Sequence, residues 1–405
     1  MPPPAGYAWE FKPRFRRNAF GWKSQPAAVR VRQAVSEIKK VARRDAMLGA
    51  EGAVLFLERV APALEQIDGS SGAMGTAVRH AIDDLVPLIA AAPADATTRH
   101  AWLDRLLRAL DDDGRPWIES LADHWGELCA SPDIASVWGD RLLGGELGQA
   151  VLADGASGGL KYTTAGLGAL DRAGRHAEVV DLAESSPHWW VRRWAVKSLA
   201  ALGRTDDAVA LAEASRGPWT SDGEVDEACE VALLRAGRVE VAYALYGLGA
   251  NRGGTHLATF RALTRKYPHK APHEILADLV RASPGDEGRW FTAAKEIGLY
   301  DAALAVARAS ACDPRTLTRA ARDHAADRPD FALEAGCLAL DGLVHGMGYE
   351  VTGADVWAAW SATMAAAEQL GQVDATKDRL RQVVEGGDAW GFAAQILARR
   401  LAERE

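Results

Sequence analysis

The sequence predicts an all-α fold of stacked helical hairpins, preceded by an N-terminal helical region and a basic extended arm. Three observations carry this reading. A short text, a Gly followed within a few residues by an Ala-rich apolar stretch, recurs through the second half of the chain. Apolar residues elsewhere fall at helical spacing, as at Val54, Leu57, Ala61 and Leu64. No run of β-branched residues with period two is long enough to require a sheet.

Residues 1–26 are rich in Pro, Arg and aromatic side chains. Pro2, Pro3, Pro4, Pro13 and Pro26 argue against a long helix. An extended arm is therefore expected, with Lys12, Arg14, Arg16, Arg17, Trp22 and Lys23 as its basic, aromatic surface. Residues 27–143 read as helices, and helical stripes recur in Thr97–Leu110 and Trp117–Leu128. Residues 144–159 contain Gly144, Gly145, Gly148, Gly155, Gly158 and Gly159, and are expected to connect this region to repeats over 160–405.

Within the repeats, AGRHAEVVDLAESS begins at Ala173, LGRTDDAVALAEAS at Leu202, AGRVEVAYALYGLG at Ala236 and IGLYDAALAVARAS at Ile297. Gly174, Gly203, Gly237 and Gly298 share one position in this text, and Gly371 takes it in a weaker copy. Each glycine is expected to close a helix through a positive φ. The next helix then starts after a few polar residues and carries Ala and Leu inward. Further pairs fit at Thr255–Tyr267 with His273–Ala282, and at Pro314–Ala326 with Phe331–Val344. One hairpin cannot bury its own apolar stripe, so neighbours must stack.

The Gly-then-Ala hairpin, with a period near 30 residues, resembles tetratricopeptide-type repeats. The block PHWWVRRWAVKSLAALG, from Pro187 to Gly203, is more similar to the second helix of a HEAT repeat. The resemblance covers about half the chain, from Leu167 onward. It implies a superhelical solenoid used as a binding scaffold and names no ligand. HEAT-like DNA glycosylases hold damaged DNA in a basic groove with Trp nearby and an Asp at the chemistry. Only the Trp-Arg block corresponds to them here, and no single Asp can be singled out.

Composition narrows the function classes. The 405 residues carry 4 Cys, too few to staple a chain of this size. Neither an apolar run of about 20 residues nor a signal-peptide pattern occurs, so a cytoplasmic location and no membrane contact are expected. The cysteines share no Cys-x-x-Cys spacing and no His-Glu-x-x-His occurs. His269 and His273 are four apart, but Pro268 and Pro272 break the helix that would aim both at one ion. No phosphate loop or nucleophile turn is present. Neither metal, cofactor nor catalytic residue is therefore expected.

Charge is more informative by position than in sum. The net charge is -8, yet residues 1–45 hold eleven basic side chains against three acids. In the repeats, three basic stretches stand out. Arg192, Arg193 and Lys197 lie outside the inner stripe of Val191, Trp194, Ala195, Ser198, Leu199 and Leu202. Arg261, Arg265, Lys266 and Lys270 follow one another without an intervening acid. Arg315, Arg319 and Arg322 share one face of a helix that starts at Asp313-Pro314, an N-cap followed by a first-turn proline.

Two readings of these cations remain open. If first helices line a concave side, the groove is basic and recognises an anion. Alternatively, each Arg pairs with an acid of the next repeat. Trp (14) outnumbers Phe (8) and Tyr (7), and the same choice arises. Trp189, Trp190, Trp194, Trp219, Trp357 and Trp360 either fill gaps between Ala-rich helices or stack on a ligand. The expected function is a non-catalytic scaffold whose basic groove takes an acidic protein segment. The alternative is a nucleic-acid-binding protein that uses the arm and groove on phosphates.

Overall fold

The computed structural model describes residues 7–70, 72–144, 160–387 and 391–402. Among the described residues there are helices and turns and no strand, and consecutive helices pack against one another. The chain forms two compact units, residues 1–242 and 243–405.

The first unit opens on the segment expected as an extended arm, and here the expectation fails. A 3-10 turn over Lys12–Arg14 is flanked by Trp9, Phe11 and Phe15, and all three rings are buried. Phe11 and Phe15 meet Phe56 edge-on, with centroids 5.7 and 5.1 Å away. Trp9 sits against Gly52, where any Cβ would collide with its ring. The backbone N–H groups of Glu10 and Phe11 donate to the Glu37 carboxylate at 2.8 and 3.1 Å. Burying a ring of this size is worth about 1.5–3 kcal/mol. Three of them hold the segment against the helices despite its prolines.

Four helices follow: α1 (Ser24–Ala42), α2 (Ala46–Ala63), α3 (Ala73–Ala91) and α4 (Ala96–Asp111). α2 is apolar around most of its circumference and packs on α1, α3 and α4. Asp45 and Asp95 cap α2 and α4, accepting from the N–H groups of Leu48 and Thr98 at 2.9 and 2.7 Å. The stripe expected as one helix over Trp117–Leu128 is a 3-10 turn (Glu119–His124) and a short α5 (Trp125–Leu128). α6 (Pro132–Leu143) packs directly on α7 (Leu160–Arg172). Apart from Gly144, the Gly-rich stretch between them lies outside the described residues. The compact units divide elsewhere, between Ala242 and Tyr243.

The unit continues through α8 (His176–Ala183), α9 (Trp189–Ala201), α10 (Thr205–Glu213), α11 (Asp222–Arg235) and α12 (Val239–Ala242). Gly174, Gly203 and Gly237 follow α7, α9 and α11 with φ of 78°, 78° and 73°. At each, the next residue's N–H reaches back five residues: Arg175 to Leu170 at 3.0 Å, Arg204 to Leu199 and Arg238 to Leu233 at 2.9 Å. This is the Schellman end, which satisfies carbonyls the helix leaves open. Arg175 and Arg204 are in turn the N-caps of α8 and α10, so a single turn ends one helix and begins the next. Leu167, Leu170, Val179, Ala183, Val191, Trp194 and Ala195 form the core of these hairpins. Leu202, expected on the inner stripe, is the C-cap of α9 and is exposed.

The second unit begins with a π-helical turn (Tyr243–Gly247) and α13 (Leu248–Ala250). It continues with α14 (His256–Lys266), α15 (Pro272–Arg281), α16 (Phe291–Glu296), α17 (Tyr300–Ala309) and α18 (Pro314–His324). α19 (Pro329–Val344), α20 (Gly353–Leu370), α21 (Val373–Gly386) and α22 (Phe392–Ala402) complete it. Gly298 and Gly371 adopt φ of 75° and 67° at the same helix-end position, and Gly346, after α19, adopts 78°. α19 is buried on nearly every side and packs on α17, α18, α20, α21 and α22, as expected of a helix with so little polar surface. No helix among the described residues is long and apolar enough to cross a membrane.

Candidate functional site

α18 is positioned by its own sequence. The Asp313 side chain accepts from the N–H groups of Arg315 and Thr316 at 3.4 and 3.0 Å. Pro314 follows at the first turn, where its missing N–H costs nothing. Leu317, Ala320 and Ala321 are buried. Arg315, Arg319 and Arg322 remain on the opposite flank and line a cleft of about 390 Å³ that α18 forms with α20.

The three arginines differ in what they meet. Arg315 makes a two-pronged pair with Asp355, Nε at 2.7 Å and Nη2 at 3.0 Å, and donates to the Glu350 carbonyl at 3.0 Å. Asp355 also accepts from the Thr352 N–H and hydroxyl at 2.8 and 2.7 Å, so its donors come from two elements. The Arg315 guanidinium and these Thr352 donors hold the Asp355 carboxyl well below the usual carboxylate range. Arg322 pairs at 2.8 Å with Asp323, its neighbour in sequence. Arg319 donates only to neutral oxygens, the Arg315 carbonyl at 3.3 Å and the Thr316 hydroxyl at 3.2 Å. Among the described residues no carboxylate lies within ion-pair reach of Arg319.

Of the other expected cations, Arg193, Lys197, Arg261 and Arg17 are tied to acids of other elements. On α9, Arg193 pairs with Asp123 and Lys197 with Asp171 at 2.8 Å, while Arg192 donates to the Ser215 hydroxyl at 3.2 Å. The Trp194 ring lies near both cations, 5.8 Å from the Arg193 guanidinium carbon and 4.9 Å from Lys197 Nζ. On α14, Arg261 reaches Glu296 at 2.5 Å, and Arg265 is exposed with no acid in reach among the described residues. Lys266 stands in the last turn of α14, and Lys270 Nζ lies 4.4 Å over the Tyr243 ring. In the N-terminal segment Arg17 pairs with Glu65 at 2.9 Å and Arg14 approaches Glu10 at 4.0 Å. Arg16 donates to the Pro13 carbonyl at 3.0 Å. Lys12, Trp22 and Lys23 are exposed.

The tryptophans divide as well. Trp189 and Trp194 are buried, and Trp189 donates through its indole N–H to Glu224 at 2.9 Å. Trp219 is 96% exposed, while Trp190 is half-buried beside His188. The four cysteines are buried and form no disulfide. Burial pushes the Cys129 and Cys312 thiols up to about 12 and Cys337 to about 11, far from the range of a reactive thiolate. Among the described residues no group of three or more His, Cys, Asp or Glu is arranged to hold a metal ion.

Sequence reasoning missed Asp355. Thr352 and Asp355 form a capping box, a signal legible as a helix start. Its contact with Arg315, 40 residues away, is set by how α18 and α20 pack and leaves no local trace. In comparisons with known proteins, no family model matches the chain, and neither a curated protein nor a solved structure matches it significantly.

Proposed function

We propose that the chain is a non-catalytic scaffold of tetratricopeptide- or HEAT-like hairpins stacked as a solenoid, and that it recognises an acidic protein segment. The observation that carries this reading is Arg319. Its guanidinium stands in the α18–α20 cleft without a carboxylate partner among the described residues, next to an arginine already neutralised by Asp355. A planar fork of donors that meets only neutral oxygens is matched by an incoming Asp or Glu. No Trp, Tyr or Phe lines the α18–α20 cleft, which favours a peptide over nucleic acid at this site, because base stacking needs an aromatic platform.

The test uses the full chain and a fluorescein-labelled 12-residue Glu-rich peptide, followed by anisotropy. Arg319→Ala is expected to weaken binding about tenfold, in line with loss of a charged hydrogen bond worth about 1.5–3 kcal/mol. Arg322→Ala should change it less than threefold, because Asp323 already occupies that side chain. Equal affinity of the parent chain and Arg319→Ala would reject the reading.

A further inference from the structure

The first unit carries a second basic surface, on α1. Arg32, Lys39 and Arg43 recur at i, i+7 and i+11, with Ser36 between them, and Lys40 lies one position further round. At 1.5 Å rise per residue, Arg32 and Arg43 stand about 16 Å apart along one helix flank. That flank forms one wall of a groove of about 500 Å³.

The opposite wall belongs to α3, with Ala77 and Ala81 one turn apart and His80 and Asp84 beside them. Lys39 is bound to Asp84 at 2.7 Å across the groove. Arg32, Lys40 and Arg43 are exposed, and among the described residues no acid lies within ion-pair reach of them. Of the acids nearest in sequence, Glu37 is engaged by the backbone of Glu10 and Phe11, and Asp45 caps α2 by accepting from the Leu48 N–H at 2.9 Å. Among the described residues, the surface therefore keeps three positive charges without an ion-pair partner along one wall.

The walls differ in a way that selects the partner. Cations line α1 only, while α3 offers two alanines, a histidine and a carboxylate. A phosphate chain is drawn to a groove with cations on both sides and large aromatic rings to stack bases, and no Trp, Tyr or Phe lines this one. A helix fits better. Ala77, half-buried on the α3 wall, leaves room for another backbone, as small side chains do where helices pack closely, while Ala81 is buried in the core. Acids along one face of that helix would meet Arg32, Lys40 and Arg43, whose aliphatic stems form the groove side.

We infer that the α1–α3 groove docks an acidic helical segment of a partner protein, with carboxylates at i, i+7 or i+8, and i+11 in register with Arg32, Lys40 and Arg43. This site lies in the unit that does not contain Arg319, and the inference stands whether or not the α18–α20 cleft binds a peptide.

The test measures anisotropy of a labelled, alanine-based 18-residue helix with Glu at i, i+4, i+7 and i+11. A peptide of identical composition with its Glu spread around the helix is the control. The full chain is expected to bind the registered peptide at least tenfold more tightly than the control. Arg32→Glu with Arg43→Glu should abolish the preference, while Arg319→Glu should leave it intact. Both α1 side chains are exposed, so the melting temperature should hold. If the charge reversals unfold the chain, Arg32→Gln with Arg43→Gln is measured instead, with a loss of at least fivefold expected. Three results overturn the inference: no preference for the registered peptide, a preference that survives the α1 substitutions, or tighter binding of a 20-nucleotide single-stranded DNA at the same residues.

Discussion

Arg99 shows how a single residue can organise its surroundings without a charge partner. It is 2% exposed, and it donates to the carbonyls of Ile89, Ala90 and Ala92 at the end of α3 and to that of Leu128, at 2.5, 3.3, 2.8 and 3.4 Å. A helix end carries partial negative charge on carbonyls that have no partner within the helix. The guanidinium takes that charge in place of a carboxylate, and burial lowers its pKa from the usual arginine value. Arg99→Met keeps much of the volume but leaves these carbonyls without a donor. An unsatisfied buried acceptor costs about 1–3 kcal/mol, so the first unit should lose about 2–4 kcal/mol of stability, read as a lower urea midpoint with the slope unchanged. Asp355 gives a residue-scale pH prediction. Its folded pKa is depressed, so its contribution is fully present above the unfolded value of about 4 and is lost as pH falls through the folded one. Asp355→Asn should flatten the acid limb of stability against pH below about 4, and an unchanged limb would contradict the pairing with Arg315.

At the scale of elements, the hairpin turns were legible and the ion pairs were not. Gly174, Gly203, Gly237, Gly298 and Gly371 could be named because a Schellman end is local: its two hydrogen bonds span six residues, and only glycine adopts the required φ freely. Gly346 makes the same end, with Met347 donating to the Gly342 carbonyl at 2.8 Å, but lacks the Ala-rich text after it. The pairs Arg193–Asp123, Lys197–Asp171 and Arg315–Asp355 link residues far apart in sequence, and only the packing of whole helices fixes them. The N-terminal segment misled for a related reason. Its prolines act locally, whereas the holes that receive Trp9 and Phe11, at Gly52 and Phe56, lie on α2. Two glycines make the turn argument testable. Gly203→Ala should destabilise the chain by about 1–2 kcal/mol, the cost of a left-handed alanine. Gly75→Ala, in α3 with open space around its Cβ position, should stabilise it by about 0.5–1 kcal/mol. Equal effects from the two would mean that the positive φ at Gly203 carries no energetic weight.

For the whole molecule, the distribution of charge decides more than its total. A chain of net charge -8 still keeps cations that have no acid within ion-pair reach among the described residues, at Arg319 in one unit and along α1 in the other, while arginines such as Arg105, Arg141 and Arg308 are neutralised by neighbouring helices. Specific recognition then depends on few contacts, and its salt dependence should be shallow. Polyanion tracking releases nearly one counterion per phosphate engaged and falls steeply with salt. The most direct measurement is the affinity of the full chain and of Arg319→Glu for the Glu-rich 12-residue peptide between 50 and 200 mM NaCl. The account predicts a decline of roughly tenfold or less for the parent chain over that range, with affinity at least tenfold weaker in Arg319→Glu at every salt concentration. A decline of about a thousandfold, or an Arg319→Glu chain that binds as the parent does, would contradict it.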